Sequence, residues 1–243
     1  MALTVGVTLS ASVVCAELAR AATAQTSETV TPSLAPDRLH AKGSLTLAIR
    51  YAGGESGLPS PVRKSLLKLP AGLGLDVPVL RSCSPASLRS RGASGCPSQA
   101  KIGSGHALVE ALAGSQLITE HIALWIFVGP LRDFQPTFEV LGEGRTPLQK
   151  RVVFSGTVTP GRAPYGEELQ LDIPAISTLP LEPDASIVAL TLTVGVARHP
   201  PGREVNTVVV PANCPAGGFP FAAESTYADG STGSSSATAV CPP

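Results

Sequence analysis

The chain has 243 residues, which is enough for one or two domains, and its 18 basic and 18 acidic side chains give a formal net charge of zero. This balance excludes a dedicated nucleic-acid binder, which needs a clear excess of Lys and Arg. Hydrophobic residues make up 43% and charged residues 15%, which excludes disorder over most of the length. The 24 glycines and 23 prolines disfavour long helices and favour short strands joined by turns.

The first 24 residues have the features of an export signal. An uncharged apolar stretch from Leu3 to Cys15 is followed by Ala22-Thr23-Ala24, which has the small-x-small pattern of a signal peptidase site. The stretch is shorter than the ~20 apolar residues of a membrane span. No Lys or Arg precedes Val5, so the basic n-region of such a signal is absent and the translation start is left open. The alternatives are a buried helix and a lipoprotein signal at Cys15, where Val14 occupies the position at which a small residue is expected. We predict a signal peptide over residues 1–24.

Four cysteines follow this segment, and an even number in an exported chain indicates disulfides in an oxidising compartment. They are Cys83, Cys96, Cys214 and Cys241. Three pairings are possible, and the spacing favours Cys83–Cys96 and Cys214–Cys241. A zinc site is the alternative, but the sequence has no Cys-x-x-Cys pair. We therefore expect a secreted, extracellular or cell-envelope-associated protein.

After residue 24, no apolar run is long enough to cross a bilayer, so we expect no integral membrane span in the mature chain. Residues 25–42 are predicted to be a polar lead-in, and residues 43–243 a single domain. From Ser44 onward, apolar and polar residues alternate with the period of a strand. Similar strand signals recur, with turn residues between them, at 66–69, 107–112, 117–128, 137–141, 151–159, 168–173, 186–197, 205–210, 219–227 and 237–241. This pattern predicts an all-β fold, an antiparallel β-sandwich that is immunoglobulin-like or jelly-roll-like.

The clearest predicted hairpin turns at Gly114-Ser115, a dipeptide that suits a type II′ turn because its first residue needs a positive φ. This register sets Leu112 opposite Leu117 and Leu108 opposite His121. One face of the hairpin is then apolar and interrupted only by Glu120, while the other face is mixed. A second turn, at Asp229-Gly230, lies midway between the last two cysteines and predicts a hairpin that brings them together.

Several short motifs resemble those of uncharacterised exported β-rich proteins of high-GC actinobacteria. They are Leu69-Pro70-Ala71-Gly72-Leu73, Cys83-Ser84, the run from Gly95-Cys96-Pro97 to Ile102-Gly103, Cys214-Pro215, Phe219-Pro220-Phe221, Tyr227-Ala228-Asp229-Gly230 and Cys241. The similarity spans residues 66 to 243. It implies a secreted sandwich-like module with two disulfide bridges, and it carries no assigned activity or catalytic residues.

No catalytic motif stands out. Ser94 and Ser104 lie in glycine-rich segments that lack the Gly-x-Ser-x-Gly spacing of a nucleophile elbow. Glu167 and Glu168 are adjacent, so in a strand they point to opposite faces and cannot flank one glycosidic bond. The sequence predicts no cofactor.

The first hairpin also suggests a metal-binding site. His106, Glu110 and His121 fall on its mixed face, where the two imidazoles are diagonal neighbours about 7–8 Å apart at the backbone. The alternative is that they are polar side chains on the wetter side of a sheet. The other two histidines, His40 and His199, belong to no metal-binding motif.

Basic residues are concentrated between Pro61 and Lys101, where Asp76 is the only acid. They are Arg63, Lys64, Lys68, Arg81, Arg89, Arg91 and Lys101. Arg81, Arg89, Arg91 and Lys101 lie around the first predicted disulfide and form a candidate patch for an anionic ligand such as an envelope polymer. The alternative is that they solubilise exposed loops.

These observations favour a non-catalytic binding or structural module of the cell envelope or extracellular space. Its expected partner is an envelope polymer or another exported protein. The alternative is a secreted hydrolase whose site is assembled from distant loops, which would need a deep pocket with at least two convergent acids or histidines.

Overall fold

The computed structural model describes residues 26–53, 57–75, 81–145, 149–178, 182–199 and 203–241. The predicted signal peptide, residues 1–24, lies outside these ranges. The strands are β1 (Ser27–Ala35), β2 (Lys42–Ala52), β3 (Val62–Pro70), β4 (Gly74–Leu75), β5 (Lys101–Ala113), β6 (Gln116–Val128), β7 (Thr137–Glu143), β8 (Arg151–Pro160), β9 (Tyr165–Asp172), β10 (Ser186–Val194), β11 (Val196–His199), β12 (Arg203–Asn206), β13 (Val208–Val209), β14 (Phe219–Tyr227) and β15 (Thr232–Ala239). The helix α1 covers Pro85–Arg91, and 3-10 turns cover Gly92–Gly95 and Ser98–Ala100. No helix in the described ranges is long and apolar enough to span a membrane.

Thirteen strands form one curled antiparallel sheet. Its order is β15-β14-β3-β9-β8-β7-β6-β5-β10-β2-β13-β4, and β1 pairs with the remaining length of β2. The curl brings β1 against β15 and β14, so opposite sides of the same sheet pack on each other across one interior. The predicted all-β antiparallel class is confirmed, and its facing layers belong to one continuous sheet. The hairpin of β11 and β12 is separate.

Both predicted hairpins are present. Gly114 has a φ of 62°, and the β5–β6 register pairs Leu112 with Leu117 and Leu108 with His121, as the turn chemistry predicted. The face with Ala107, Val109 and Leu124 is buried, and Glu120 is buried with it. In the second hairpin, β14 and β15 pair from Phe219↔Ala239 to Thr226↔Thr232 around the turn at Asp229-Gly230.

Both favoured disulfides are formed. Cys83 is bonded to Cys96, with Cα atoms 5.3 Å apart, and Cys214 is bonded to Cys241, with Cα atoms 6.0 Å apart. The first bridge closes the loop that contains α1. Here Ser84 caps the helix, since its Oγ accepts a hydrogen bond from the Ser87 amide at 3.2 Å. Because Cys83 and Leu88 are buried on the outer face of β6, β7 and β8, this loop makes a second, smaller core there.

The structure corrects one boundary. Residues 25–42 were predicted to be a polar lead-in, but Ser27–Ala35 form β1, which pairs with β2 along its whole length. Val30 is buried in the main core, and Glu28 is buried beside it. This segment is therefore an integral part of the sheet. Another difference lies at the end of the chain, where the strand predicted over 237–241 begins earlier, at Thr232.

Candidate functional site

The interior of the curled sheet is not completely filled. At the end where β2 begins and β6 finishes, a cavity of about 240 Å³ lies between facing strands. Protein cores seldom contain voids larger than a water molecule, and an apolar cavity of about 150 Å³ is enough to bind benzene. The cavity is therefore large enough for a small organic molecule.

Apolar side chains from most of the sheet line this cavity. They come from alternate, inward-facing positions of β2, β3, β6, β7, β9 and β10, and include Leu45, Leu47, Leu67, Leu69, Ile126, Val128, Phe138, Val140, Leu169, Leu171, Leu192 and Val194. Strand alternation explains this composition, because every second residue of a strand faces the same side. The lining offers dispersion contacts and very few hydrogen-bonding groups.

The cavity reaches the surface at one end. Pro136 in its lining is exposed, and Leu75 and Glu167 are partly exposed. The mouth therefore lies between β4, the segment just before β7 and the first residues of β9. Thr137 also lines it, but its Oγ1 donates a hydrogen bond to the Pro130 carbonyl oxygen at 2.6 Å and is thereby engaged.

Glu167 is the one ionisable side chain among the described residues that line the cavity. Burial raises the pKa of its carboxyl, since the charged form loses solvation there. The adjacent Glu168 faces the other side of β9 and pairs in register with Lys68 of β3. The prediction that these neighbours point to opposite faces is confirmed, and only one of them belongs to the cavity.

A polar cluster occupies another part of the interior, between β1, β2 and β14. The Tyr227 hydroxyl donates to Glu28 Oε2 at 3.4 Å, and the rings of Tyr51 and Tyr227 meet edge to face with centroids 6.3 Å apart. Burial raises the pKa of the Glu28 carboxyl. Burial also raises the pKa of the Tyr51 hydroxyl, to about 12. The pKa of Tyr227 is raised by burial and by the nearby charge of Glu28. Neutral forms are thus favoured, and the cluster ties β1 to β14.

Glu139 is a second buried acid, on the outer face of β7 beneath the disulfide loop. Its Oε2 accepts a hydrogen bond from the Ser155 hydroxyl at 2.6 Å, whereas its Oε1 has no hydrogen-bond partner among the described residues. Burial raises the pKa of Glu139, and the Ser155 hydrogen bond and the charges of Arg132 and Arg89 oppose that shift. Glu139 faces away from the cavity, on the opposite side of the strand from Val140.

A larger concavity, of about 530 Å³, lies on the outer face of β3, β14 and β15. It is an open groove with polar walls that include Lys64, Gln170 and Ser234. Glu224, in the same groove, forms an ion pair with Lys68. Because water satisfies polar walls at no cost, this groove makes a weaker case for a binding site than the apolar cavity does.

The predicted metal-binding residues lie where the hairpin register puts them. His106 pairs with Ala123, and His121 pairs with Leu108, so the two exposed histidines are diagonal neighbours on one face, with Glu110 half-buried on the same strand as His106. The described ranges contain no group of three or more His, Cys, Asp or Glu side chains arranged to hold an ion. A site at these residues stays a prediction.

The predicted basic residues divide into two sets. On β3, Arg63 forms an ion pair with Asp184, and Lys68 with Glu224, so neither guanidinium nor ammonium is available as an unpaired charge. Around the first disulfide, Arg81 and Arg89 are exposed, while Arg91 is exposed and donates to the Gly95 carbonyl oxygen at 3.3 Å. Lys101, at the start of β5, is half-buried. The second set stays a candidate anion-binding surface.

Comparison of the chain with models of protein families, with curated proteins and with solved structures finds no match. The resemblance to exported actinobacterial proteins therefore remains an expectation from the motifs. The cavity was not predicted from the sequence, because alternation identifies inward-facing residues but not whether they fill the space between them. The only related feature of the sequence is the alternation in β2 that turns Leu45 and Leu47 towards the interior.

Proposed function

We propose that this protein is an exported, non-catalytic binding module that holds a small apolar molecule inside its curled sheet. The observation that carries the proposal is the cavity of about 240 Å³ with its almost wholly apolar lining. An apolar ligand bound there would remove its own surface from water, which contributes about 25 cal/mol per Å² of apolar surface buried.

The two disulfides support the exported location, since such bridges persist in oxidising compartments. The alternative of a hydrolase is less favoured. Glycoside hydrolysis needs two carboxyl groups about the scissile bond, and of the described residues that line the cavity only Glu167 is acidic. Binding without chemistry is the function that this lining suits.

The position of Glu167 limits the class of ligand. A carboxyl group whose pKa is raised by burial donates or accepts a hydrogen bond when protonated and repels anions when ionised. We therefore expect an apolar body with a hydroxyl or amine head at the mouth, in preference to a carboxylate. Decanol and decylamine should displace a neutral fluorescent probe from the cavity more effectively than decanoate at neutral pH.

The experiment uses N-phenyl-1-naphthylamine, a neutral probe whose fluorescence rises in apolar surroundings. Val158 lines the cavity, and its neighbour Thr157 faces the other side of β8. The probe should bind the wild-type protein and the Thr157→Phe control, and Val158→Phe should reduce its affinity at least tenfold. Equal binding by wild type and Val158→Phe, or no binding by wild type, would refute the proposal. Far-ultraviolet circular dichroism verifies that each variant is folded.

A further inference from the structure

The segment between β6 and β7 ends in an exposed apolar tip, which we define as residues 131–135. Arg132 and Gln135 exchange two backbone hydrogen bonds, of 3.1 and 2.8 Å, so Asp133 and Phe134 are the two central residues of a tight turn. Leu131 is 69% exposed, and Phe134 is 96% exposed. Two large apolar side chains within four residues thus project into solvent from one narrow turn.

The backbone of this tip makes its sequence unusual. Asp133 has a φ of 49° and Phe134 a φ of 64°, the left-handed conformation that both central residues of a type I′ turn require. Asn-Gly is the favoured pair in such a turn, and a bulky residue with positive φ is an outlier. Because Phe134 is almost fully exposed, packing within the described part of the chain does not explain why an aromatic ring occupies this strained position. Strain of this kind occurs at functional sites.

Basic side chains lie in the tip and in the disulfide loop beside the end of β6. The Cys83 amide donates to the Val128 carbonyl oxygen at 2.8 Å, which places the segment after Arg81 along the end of β6. Arg89 belongs to α1, which packs against β8 within the disulfide loop, and Arg132 lies within the tip itself. Arg81, Arg89 and Arg132 are all exposed, and Asp133 is the exposed acid within the tip. Among these exposed side chains, positive charge therefore exceeds negative charge.

The tip is also braced against the mouth of the cavity. The Gly129 amide donates to the Thr137 carbonyl oxygen at 2.8 Å, and the Thr137 hydroxyl donates to Pro130. These bonds join the two sides of the segment just behind the tip. Pro136 and Thr137, which follow the tip directly, line the cavity. Whatever the tip contacts therefore lies close to the opening of the cavity.

We propose that the tip docks this protein on an anionic lipid surface, with Leu131 and Phe134 inserted among the acyl chains and Arg81, Arg89 and Arg132 at the headgroups. Apolar insertion combined with basic flanks is the usual basis of peripheral membrane binding. A narrow projecting turn suits a fluid bilayer better than the broad, flat patch of a protein interface, whose central contacts must be enclosed. Docking would bring the cavity mouth to a source of apolar molecules.

The test is flotation of the full chain with vesicles of phosphatidylcholine that contain phosphatidylglycerol. The double variant Leu131→Ser/Phe134→Ser should bind at least tenfold more weakly than wild type. Leu117→Ser is the matched control, because Leu117 is 50% exposed at the turn between β5 and β6, the opposite end of β6. This control should bind as wild type does. No variant touches the cavity lining, so probe binding in solution should be unchanged in all of them.

A second arm tests the charges. Arg132→Gln should weaken binding to vesicles that contain phosphatidylglycerol and reduce its salt dependence, since screening weakens exposed electrostatic contacts. The proposal is overturned if wild type does not float, if the double variant binds like wild type, or if Leu117→Ser loses binding equally. Self-association that disappears in the double variant would instead identify a second copy of the chain as the partner. Because probe binding is measured separately, failure of docking leaves the cavity proposal intact.

Discussion

Adding one methylene group at Val158 and one at Val194 would measure how much of the interior is unoccupied. Both residues line the cavity, and isoleucine keeps the β-branch that suits a strand. In a close-packed core such additions cost about 1–3 kcal/mol through overpacking. In a void, each buried methylene contributes about 0.8 kcal/mol. The double variant Val158→Ile/Val194→Ile should therefore be about 1.6 kcal/mol more stable than wild type.

Urea unfolding followed by far-ultraviolet circular dichroism gives this difference. For a chain of this length the gain corresponds to a rise in Tm of about 3–6 °C. Val62→Ile is the control, since Val62 is buried in the interior but does not line the cavity, and it should lose stability. If the double variant loses as much as Val62→Ile, the space is not available and the reasoning from the cavity fails. A gain in stability should also be accompanied by weaker binding of the naphthylamine probe.

Three further perturbations test other parts of the fold. Because burial raises the folded-state pKa of Glu28, the free energy of unfolding of the wild type should fall as pH rises above the unfolded-state pKa. In urea unfolding, Glu28→Gln should be as stable as wild type at pH 4 and more stable at pH 7. The same stability difference between the two proteins at both pH values would contradict this. Replacing both Cys83 and Cys96 with Ser should cost about 3 kcal/mol, measured without reductant, since the bridge spans 13 positions. Gly105→Ala should lower Tm by several degrees, because its Cβ would lie 2.1 Å from the Thr191 carbonyl oxygen; an unchanged Tm would exclude that close approach.

Local features of the fold followed from the sequence, and the long-range ones did not. The register of the β5–β6 hairpin was determined by the turn at Gly114, and the two disulfides by cysteine spacing. In contrast, β3 pairs with β9 and β14, which lie about a hundred residues or more away, and alternation of residues cannot indicate such partners. The alternation of apolar and polar residues therefore could not predict that the strands form one continuous curled sheet.

Two short elements were missed although the sequence contained their signals. The inward face of β1 includes Glu28 and Pro32, which hid the alternation of Val30 and Leu34 with threonine and serine. The helix α1 begins with Ser84 followed by a proline, which is a readable start of a helix. The exposed tip at Phe134 had no turn signal of the usual kind, because Asp-Phe replaces the expected Asn-Gly.

The placement of β1 has a consequence for the order of assembly during synthesis. This strand joins β2 through backbone hydrogen bonds but contacts β15 and β14 on its other side. Its second set of neighbours thus comes from residues 219–239, far along the chain from β1 itself. A chain that lacks β14 and β15 leaves the edge of β3 unpaired and one side of β1 without neighbours, and such exposed edges promote aggregation. A chain truncated before β14 should therefore aggregate far more than the small size of the missing β14–β15 hairpin suggests.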